Sequence, residues 1–276
     1  MVASKSDAEG ALTGSMIALA LEALGLPVLR RLGLGPTLIV RTALLASEVD
    51  VYPEYTGNVA YIDGTESDPA WKDAAGAYEA ARRSDAGRGI VWLARAPANN
   101  TWAIAVRGSF ARREGLTSMA DFADAVRRDR IVLAASTEFV ESPAALPSFE
   151  AAYGFDLPRS RIFSLPGGDT AVTARAAAQA ISGVNAGMVY GTDGALAALD
   201  LTVMTDPRGA QIVYEVAPAI RADTLDRHPA IRGALEPVFT ALDADTLRRL
   251  NARIAVEGEL ADRVARDWLR GRGLLP

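Results

Sequence analysis

Residues Val49–Asn58 read VDVYPEYTGN, and this stretch says more about the fold than any other part of the chain. A short apolar run leads into two tyrosines and two carboxylates that crowd around a proline. An aromatic turn of this kind is costly to expose unless a ligand docks on it. The electron-rich faces of tyrosine attract organic cations. We therefore predict that the turn follows a buried strand and belongs to a binding surface.

The apolar periodicity on both sides of this stretch alternates between helix and strand. It predicts helices over 11–25, 36–47 and 70–84 and strands over 27–32, 49–51 and 90–93. A second series begins near Arg107, with a capped helix start at 116–122. Its further strands are predicted over 131–135, 161–165, 186–190 and 201–204. Such alternation indicates mostly parallel sheets covered by helices.

The two α/β series are not separated by a linker, which indicates two lobes joined by crossover strands. The segments 99–106 and 205–211 are the predicted crossovers. We place lobe 1 at residues 1–104 plus 209–276 and lobe 2 at residues 105–208. Ligands of such sheets bind beyond the carboxyl ends of the strands. We therefore expect the ligand in a cleft between the lobes.

The bulk composition excludes several classes of function. The chain has 276 residues, a net charge of −5, no cysteine and one histidine. The negative charge argues against nucleic acid as a partner. Without cysteine, thiol nucleophiles and thiolate metal sites are excluded, and we expect neither a metal nor another cofactor. No apolar run reaches the roughly 18 residues that span a bilayer.

Catalysis is an alternative interpretation of the polar residues near strand and helix ends. His228 precedes a proline at a predicted helix end, where a surface or capping role is commoner than catalysis. Asp50, Glu54 and Asp193 lie near predicted strand ends, and an acid–base pair among them would be conceivable. Residues 167–170, GGDT, could bind an anion at a helix N-terminus, although a loop with an N-cap is the commoner role of such a sequence.

Aromatic residues at strand ends give the stronger signal. Tyr55, Trp102, Tyr190 and Tyr214 each end or follow an apolar run. Any one of them alone would most often be half-buried core. Together, they are consistent with one cleft that receives rings from both lobes. Tyr52 and Tyr61 are candidates for the rim of this cleft.

Six motifs, in order and at the expected spacing, resemble those of the substrate-binding proteins of ABC importers for glycine betaine, choline and other osmoprotectants (the ProX-, OpuC- or OsmF-like group). The resemblance covers nearly the whole chain. The matching segments are Ser4-Lys5 with Glu9, residues 43–57 (ALLASEVDVYPEYTG), 98–103 (ANNTWA), 190–194 (YGTDG), 214–218 (YEVAP) and His228-Pro229.

This resemblance implies a bilobal periplasmic-binding-protein fold of type II that closes on its ligand. It also implies an aromatic box around a quaternary ammonium group, with two polar neighbours. The residues at those positions are Tyr55, Trp102, Tyr190 and Tyr214 for the box and Thr56 and Asn100 beside it. Further candidate contacts are Lys5, Asp7, Tyr52, Ser142, Thr192 and Asp193.

Two departures from the family pattern affect the expected ligand. Ser142 stands where members that grip a betaine carboxylate often carry an arginine. The loss of a bidentate guanidinium weakens the hold on a carboxylate. Asp7 adds a negative charge in the opening motif. Our hypothesis is therefore that choline or a larger cationic amine binds in preference to glycine betaine.

The resemblance also implies a place and a partner for the protein. We expect a periplasmic monomer, without an export signal in this sequence, that delivers a small cationic or zwitterionic solute to ABC permease subunits. Two alternatives stay open: a bilobal enzyme acting on a small amine, and the ligand-sensing domain of a receptor. Turnover of a bound amine would favour the enzyme. Fusion to a kinase or permease would favour the receptor.

Overall fold

The computed structural model describes residues 1–165 and 170–275. They form two compact units: unit 1 is Met1–Asn99 with Val213–Pro276, and unit 2 is Asn100–Ile212. The predicted lobe boundaries lie a few residues away from these. The strand that begins at Trp102 therefore belongs wholly to unit 2.

The strands and helices alternate along much of the chain. The strands are β1 (Val2–Lys5), β2 (Arg30–Gly35), β3 (Val51–Tyr55), β4 (Ile90–Trp92), β5 (Trp102–Arg107), β6 (Leu133–Ser136), β7 (Ile162–Leu165), β8 (Ala186–Tyr190), β9 (Leu201–Val203) and β10 (Val216–Arg221). The helices are α1 (Ala8–Ala23), α2 (Thr37–Leu45), α3 (Thr56–Asp63), α4 (Ala74–Ala86), α5 (Gly108–Glu114), α6 (Met119–Arg127), α7 (Thr137–Glu141), α8 (Leu146–Tyr153), α9 (Thr170–Ala178), α10 (Gly194–Ala198), α11 (Ala222–Arg227), α12 (Ala230–Thr240), α13 (Ala244–Ala255) and α14 (Ala261–Gly271).

Unit 1 contains a five-stranded sheet in the order β2-β1-β3-β10-β4, counted over the described residues. β1 runs parallel to β2 and β3, whereas β10 runs antiparallel to β3 and β4. Four of the five strands therefore run in the same direction, and the prediction of a mostly parallel sheet is confirmed. The exception is β10, from the C-terminal part of the chain, which enters between β3 and β4 in the opposite direction.

Helix α1 forms the centre of the unit 1 core. It contacts β1, β2 and β3 and also the helices α12, α13 and α14. A helix covered on several sides needs no polar face, which explains why residues 12–21 of α1 are all buried.

Unit 2 repeats this architecture with its own core. Within the residues described, its sheet has the order β7-β6-β8-β5-β9, and β5 runs antiparallel to both neighbours. The predicted capped start of α6 is confirmed, because Ser118 and Asp121 form a reciprocal capping box. Phe122, Phe139 and Phe149 are fully buried at the centre of this unit.

The sequence patterns missed three elements of unit 1. β1 is only four residues long and buried throughout, so it shows no alternation. The patterns predict no strand at β10, and α3 begins at Thr56, where they predict a turn. The predicted strand over 27–32 lies a few residues later, as β2. None of the helices in the described ranges is long and apolar enough to cross a membrane.

Candidate functional site

The candidate residues fall into two groups, one in each unit. In unit 1, Tyr55 ends β3 and Tyr214 precedes β10. These strands are antiparallel neighbours, with Tyr55 opposite Val216. The pairing brings the two tyrosines to one end of the sheet. Both pack against the unit 1 core.

Tyr55 is held at its hydroxyl by a buried carboxylate. Its Oη donates to Glu9 Oε1 at 2.6 Å, and Glu9 Oε2 accepts from Asn251 Nδ2 at 2.7 Å. Glu9 is in the first turn of α1, whereas Asn251 is in α13. The position of Tyr55 thus depends on a contact between distant parts of the sequence. The resemblance drew attention to Glu9, but no local pattern pointed to Asn251.

Glu54 is the centre of a second buried network beside Tyr55. Its carboxylate pairs with Lys5 Nζ at 2.6 Å and accepts from the Tyr55 amide at 2.7 Å. It also accepts from Asn58 Nδ2 at 2.7 Å and from the Tyr52 hydroxyl. Four donors therefore converge on one carboxylate, which is about the number of its lone-pair sites.

The charge of Lys5 compensates that of Glu54. Burial alone raises the pKa of Glu54, but the ammonium of Lys5 and the hydrogen bonds lower it by more, and the pKa lies below its ordinary value. Burial, followed by the charge of Glu54, raises the pKa of Tyr52 well above its ordinary value. The network therefore holds an ionised carboxylate and a neutral phenol.

Lys5 also lies over the ring of Tyr55, with Nζ 4.4 Å from the ring centroid. This is a cation–π contact within the protein itself. One face of this ring is therefore covered by the protein's own cation. Lys5 is 7% exposed.

Tyr214 packs against the first turn of α3, which directly follows β3. A Cβ added to Gly57 would lie 2.6 Å from Tyr214 Cε1, so the ring packs directly on this glycine. The Tyr214 amide donates to Asn99 Oδ1 at 2.8 Å. Thr56 is fully buried, and its hydroxyl is hydrogen-bonded to the backbone of Val213 and of Glu215, the residues on either side of Tyr214.

In unit 2, Trp102 and Tyr190 are paired directly across antiparallel strands. Trp102 is the first residue of β5 and Tyr190 the last of β8, and the register places them opposite each other. Directly opposed side chains on such strands are close enough to interact. Both are half-buried. Trp102 also packs edge-to-face on Phe139, with ring centroids 6.1 Å apart.

The polar candidates of unit 2 lie beside this pair. Asp193 Oδ2 accepts from the Tyr190 amide at 2.7 Å and so closes the turn after β8. Thr192 is 1% exposed, whereas Asn100 is half-buried two residues before Trp102. Their contact with a ligand stays a prediction. Ser142 ends the short helix α7 and is partly exposed.

One rim expectation needs correction. Tyr52 is fully buried, and its hydroxyl is bound to Glu54, so it is not a rim residue. Tyr61, in contrast, is 60% exposed. Asp7 is the N-cap of α1, where Oδ1 accepts from the Gly10 amide at 2.8 Å. Its carboxylate therefore has a structural role that the sequence interpretation did not assign.

The catalytic alternatives receive little support from the geometry. Glu54 is saturated by donors, and Asp50 accepts from Thr224 Oγ1 at 3.1 Å. His228 ends α11. Over the described residues, no three histidine or acidic side chains are grouped so that they could hold a metal ion. The candidate anion loop lies outside the described residues except for Thr170, the first residue of α9.

Residues 1–271 match the family model for the substrate-binding domain of ABC-type glycine betaine transport systems (OpuAC). The chain belongs to this family. It is 50% identical over 274 residues to the glycine betaine-binding protein YehZ of Escherichia coli (strain K12), across 99% of this chain and 90% of that protein. It is 30% identical over 283 residues to a glycine-betaine-binding protein of Pseudomonas aeruginosa, across 99% and 88% of the two chains.

Solved structures of related proteins agree with this assignment. Apo YehZ of Escherichia coli has a TM-score of 0.91 to this chain at 49% identity, across 99% of this chain and 98% of that one. A glycine betaine/carnitine/choline ABC transporter structure has a TM-score of 0.85 at 19% identity, across 99% and 98%, and supports the fold alone. The predicted family and its type II periplasmic-binding-protein fold, with two α/β units, are therefore confirmed.

Proposed function

We propose that this chain is the extracytoplasmic solute-binding component of an ABC importer and that it binds a quaternary-ammonium solute of the glycine betaine and choline class. Membership of the substrate-binding family carries this proposal. The 50% identity to a glycine betaine-binding protein over almost the whole chain supports the ligand class. Periplasmic location, a monomeric state and delivery to a permease belong to the same proposal.

In this proposal, aromatic rings bind the ammonium group. Tyr55 and Tyr214 are the candidates of unit 1, and Trp102 and Tyr190 those of unit 2, with Asn100 as a polar neighbour. A methylated ammonium cannot donate a strong hydrogen bond, so aromatic faces are its best partners. Each well-placed ring contributes about 0.5–2 kcal/mol.

The opposite end of the ligand decides between glycine betaine and choline. The charge of Lys5 is compensated by Glu54, and Ser142 offers a hydroxyl where a guanidinium would grip a carboxylate. Both features favour a ligand that binds through its ammonium. The relatives are named for glycine betaine, however, so the two ligands must be compared directly. We expect choline to bind at least as tightly as glycine betaine.

Calorimetric titration with choline, glycine betaine, carnitine and ergothioneine tests the proposal. Binding of choline with an affinity equal to or above that of glycine betaine is the expected result. Tight glycine betaine binding without choline binding would overturn the ligand preference alone. If none of the four binds, the proposed function itself is wrong.

Catalysis is tested in the same samples. A binding protein returns its ligand unchanged, whereas an enzyme acting on an amine would convert it. Mass spectrometry of the ligand after prolonged incubation distinguishes the two. We expect only unchanged ligand, because Glu54, the most buried of the candidate acids, is held ionised in an ion pair.

A further inference from the structure

Three residues that contact Tyr214 or its chain neighbours have a structural role that the motifs alone do not indicate. We propose that Thr56, Gly57 and Asn99 are positioning residues, which fix the backbone and ring of Tyr214 for ligand binding. The proposal rests on the proposed function, in which Tyr214 contacts the ammonium group. It deepens that function, because it gives the last two residues of the YPEYTG motif the role of holding Tyr214, a different aromatic residue of the proposed site.

Thr56 holds the chain on both sides of Tyr214. Its Oγ1 donates to the Val213 carbonyl at 2.8 Å and accepts from the Glu215 amide at 3.1 Å. Its own amide donates to the Glu215 carbonyl at 3.1 Å. A hydroxyl has a single proton to donate. The Thr56 hydroxyl donates its proton to the Val213 carbonyl, and the side chain is fully buried. Thr56 therefore acts on the ligand through Tyr214 rather than by direct contact.

Gly57 provides the space for the ring. A Cβ at this position would lie 2.6, 2.7 and 2.8 Å from Cε1, Cδ1 and Cζ of Tyr214, closer than side-chain carbons approach one another. Gly57 lies in the first turn of α3, and its φ is not among the positive values of the chain. The glycine is therefore needed for room and not for an unusual backbone conformation.

Asn99 completes the arrangement from another segment. Its Oδ1 accepts from the Tyr214 amide at 2.8 Å, and its backbone forms an isolated antiparallel bridge with Glu215. Backbone groups of Val213, Tyr214 and Glu215 are thus all hydrogen-bonded to Thr56 or Asn99. With its backbone fixed and its ring seated on Gly57, Tyr214 has few alternative positions. A ring ordered before binding costs less entropy when the ligand arrives.

A double-mutant cycle separates positioning from general stability. Gly57→Ala, Tyr214→Leu and the double variant are titrated with choline and, in parallel, with glycine betaine. In the wild-type background, we expect Gly57→Ala to weaken binding by roughly tenfold, the contribution of one well-placed ring. In the Tyr214→Leu background, the same change should alter affinity by less than about twofold, because the ring it displaces is gone.

Two controls accompany the cycle. Gly233→Ala, in the interior of α12, adds a Cβ that meets no atom within 4 Å and should leave affinity unchanged. Thr56→Val removes the hydroxyl at nearly constant shape, whereas Thr56→Ser keeps it. We expect the valine variant to lose affinity in a Tyr214-dependent way and the serine variant to keep most of it.

The outcomes are distinct. Circular dichroism establishes that each variant is folded, and if Gly57→Ala is not, the Thr56→Val cycle decides. If Gly57→Ala or Thr56→Val lowers ligand affinity by the same factor with and without the Tyr214 ring, the positioning role is overturned. Absence of binding by the wild-type protein to either ligand would instead contradict the proposed function.

Discussion

The two aromatic groups of this protein are held in place by different physical means. In unit 1, Tyr55 is fixed by buried charges, with Glu9 at its hydroxyl, Glu54 at its amide and Lys5 over its ring. In unit 2, Trp102 and Tyr190 are fixed chiefly by the register of β5 and β8. The arrangement in unit 1 depends on a few buried charged side chains, whose desolvation costs free energy. The arrangement in unit 2 depends on the pairing of two strands.

This difference predicts different sensitivities to substitution. A buried charge that loses its partner is strongly destabilising, because nothing else can solvate it. A strand register is specified by the burial of one face along the whole strand, so it withstands the loss of one side chain. Substitutions in the unit 1 network should therefore act mainly on stability. Those in the unit 2 pair should act mainly on affinity.

The largest effect is expected from Glu54→Gln. The change leaves the Lys5 ammonium, whose side chain is only 8% exposed, without its counter-charge. We expect the free energy of unfolding to fall by about 3–5 kcal/mol. Urea-induced unfolding at neutral pH measures it.

Two further variants control for this loss. The double variant Lys5→Met/Glu54→Gln removes both charges and should recover most of the stability. Asp200→Asn breaks an exposed ion pair with Arg112 in unit 2 and should leave stability unchanged. A Glu54→Gln protein as stable as the wild type would show that unit 1 does not depend on the buried charge.

Trp102→Ala should have the largest effect on ligand affinity. It removes one face of the proposed site and the contact with Phe139, while the β5–β8 ladder stays in place. We expect a loss of about 2 kcal/mol in binding, roughly 30-fold. Calorimetry with choline measures it, and Tyr190→Ala should behave similarly.

Trp102→Phe keeps a ring at the same position and serves as the control. It should retain most of the affinity. Equal affinity in Trp102→Ala, Tyr190→Ala and the wild type would contradict the assignment of this pair to the ligand.

The same difference between units explains what the sequence could predict. Tyr190 could be inferred because it ends an apolar strand, and the carboxyl ends of strands carry ligands in α/β proteins. Trp102 begins β5, and it is the family motif that makes it a candidate. The exact register of the two residues could not be inferred, because it depends on hydrogen bonds between segments far apart in sequence. The family motifs supplied the four candidate rings, and their contact with a ligand stays a prediction.

Sequence patterns did not predict most of the hydrogen bonds in the unit 1 networks around Glu9 and Glu54. Glu54 was considered as an acid or base, whereas the fold makes it a structural partner of Lys5. Asn251 reaches Glu9 across 242 positions, and no local periodicity reports such a contact. Thr56 was assigned to the ligand from its motif, but the geometry uses its hydroxyl inside unit 1. Tertiary hydrogen bonds decide these roles.

Acid should destabilise unit 1 through Glu54. The folded-state pKa of this carboxyl lies below its ordinary value of 4.5. Its contribution to stability is therefore fully present above the unfolded pKa and is lost as the pH falls through the folded pKa. The melting temperature of the wild type should fall more steeply below about pH 5 than that of Lys5→Met/Glu54→Gln. Parallel pH profiles of the two proteins would contradict this account.

The smallest effect is expected from Asp193→Ala, which tests the unit 2 side of the comparison. The change removes the carboxylate that accepts from the Tyr190 amide at 2.7 Å. We expect a stability loss of about 1 kcal/mol, as for other side-chain caps of backbone amides. Choline affinity should change far less than in Trp102→Ala, because β5 and β8 still hold Tyr190 opposite Trp102. Asp193→Asn, which keeps an acceptor, is the control. A loss of affinity as large as that of Trp102→Ala, without loss of stability, would mean that Asp193 contacts the ligand itself and that more than strand register organises unit 2.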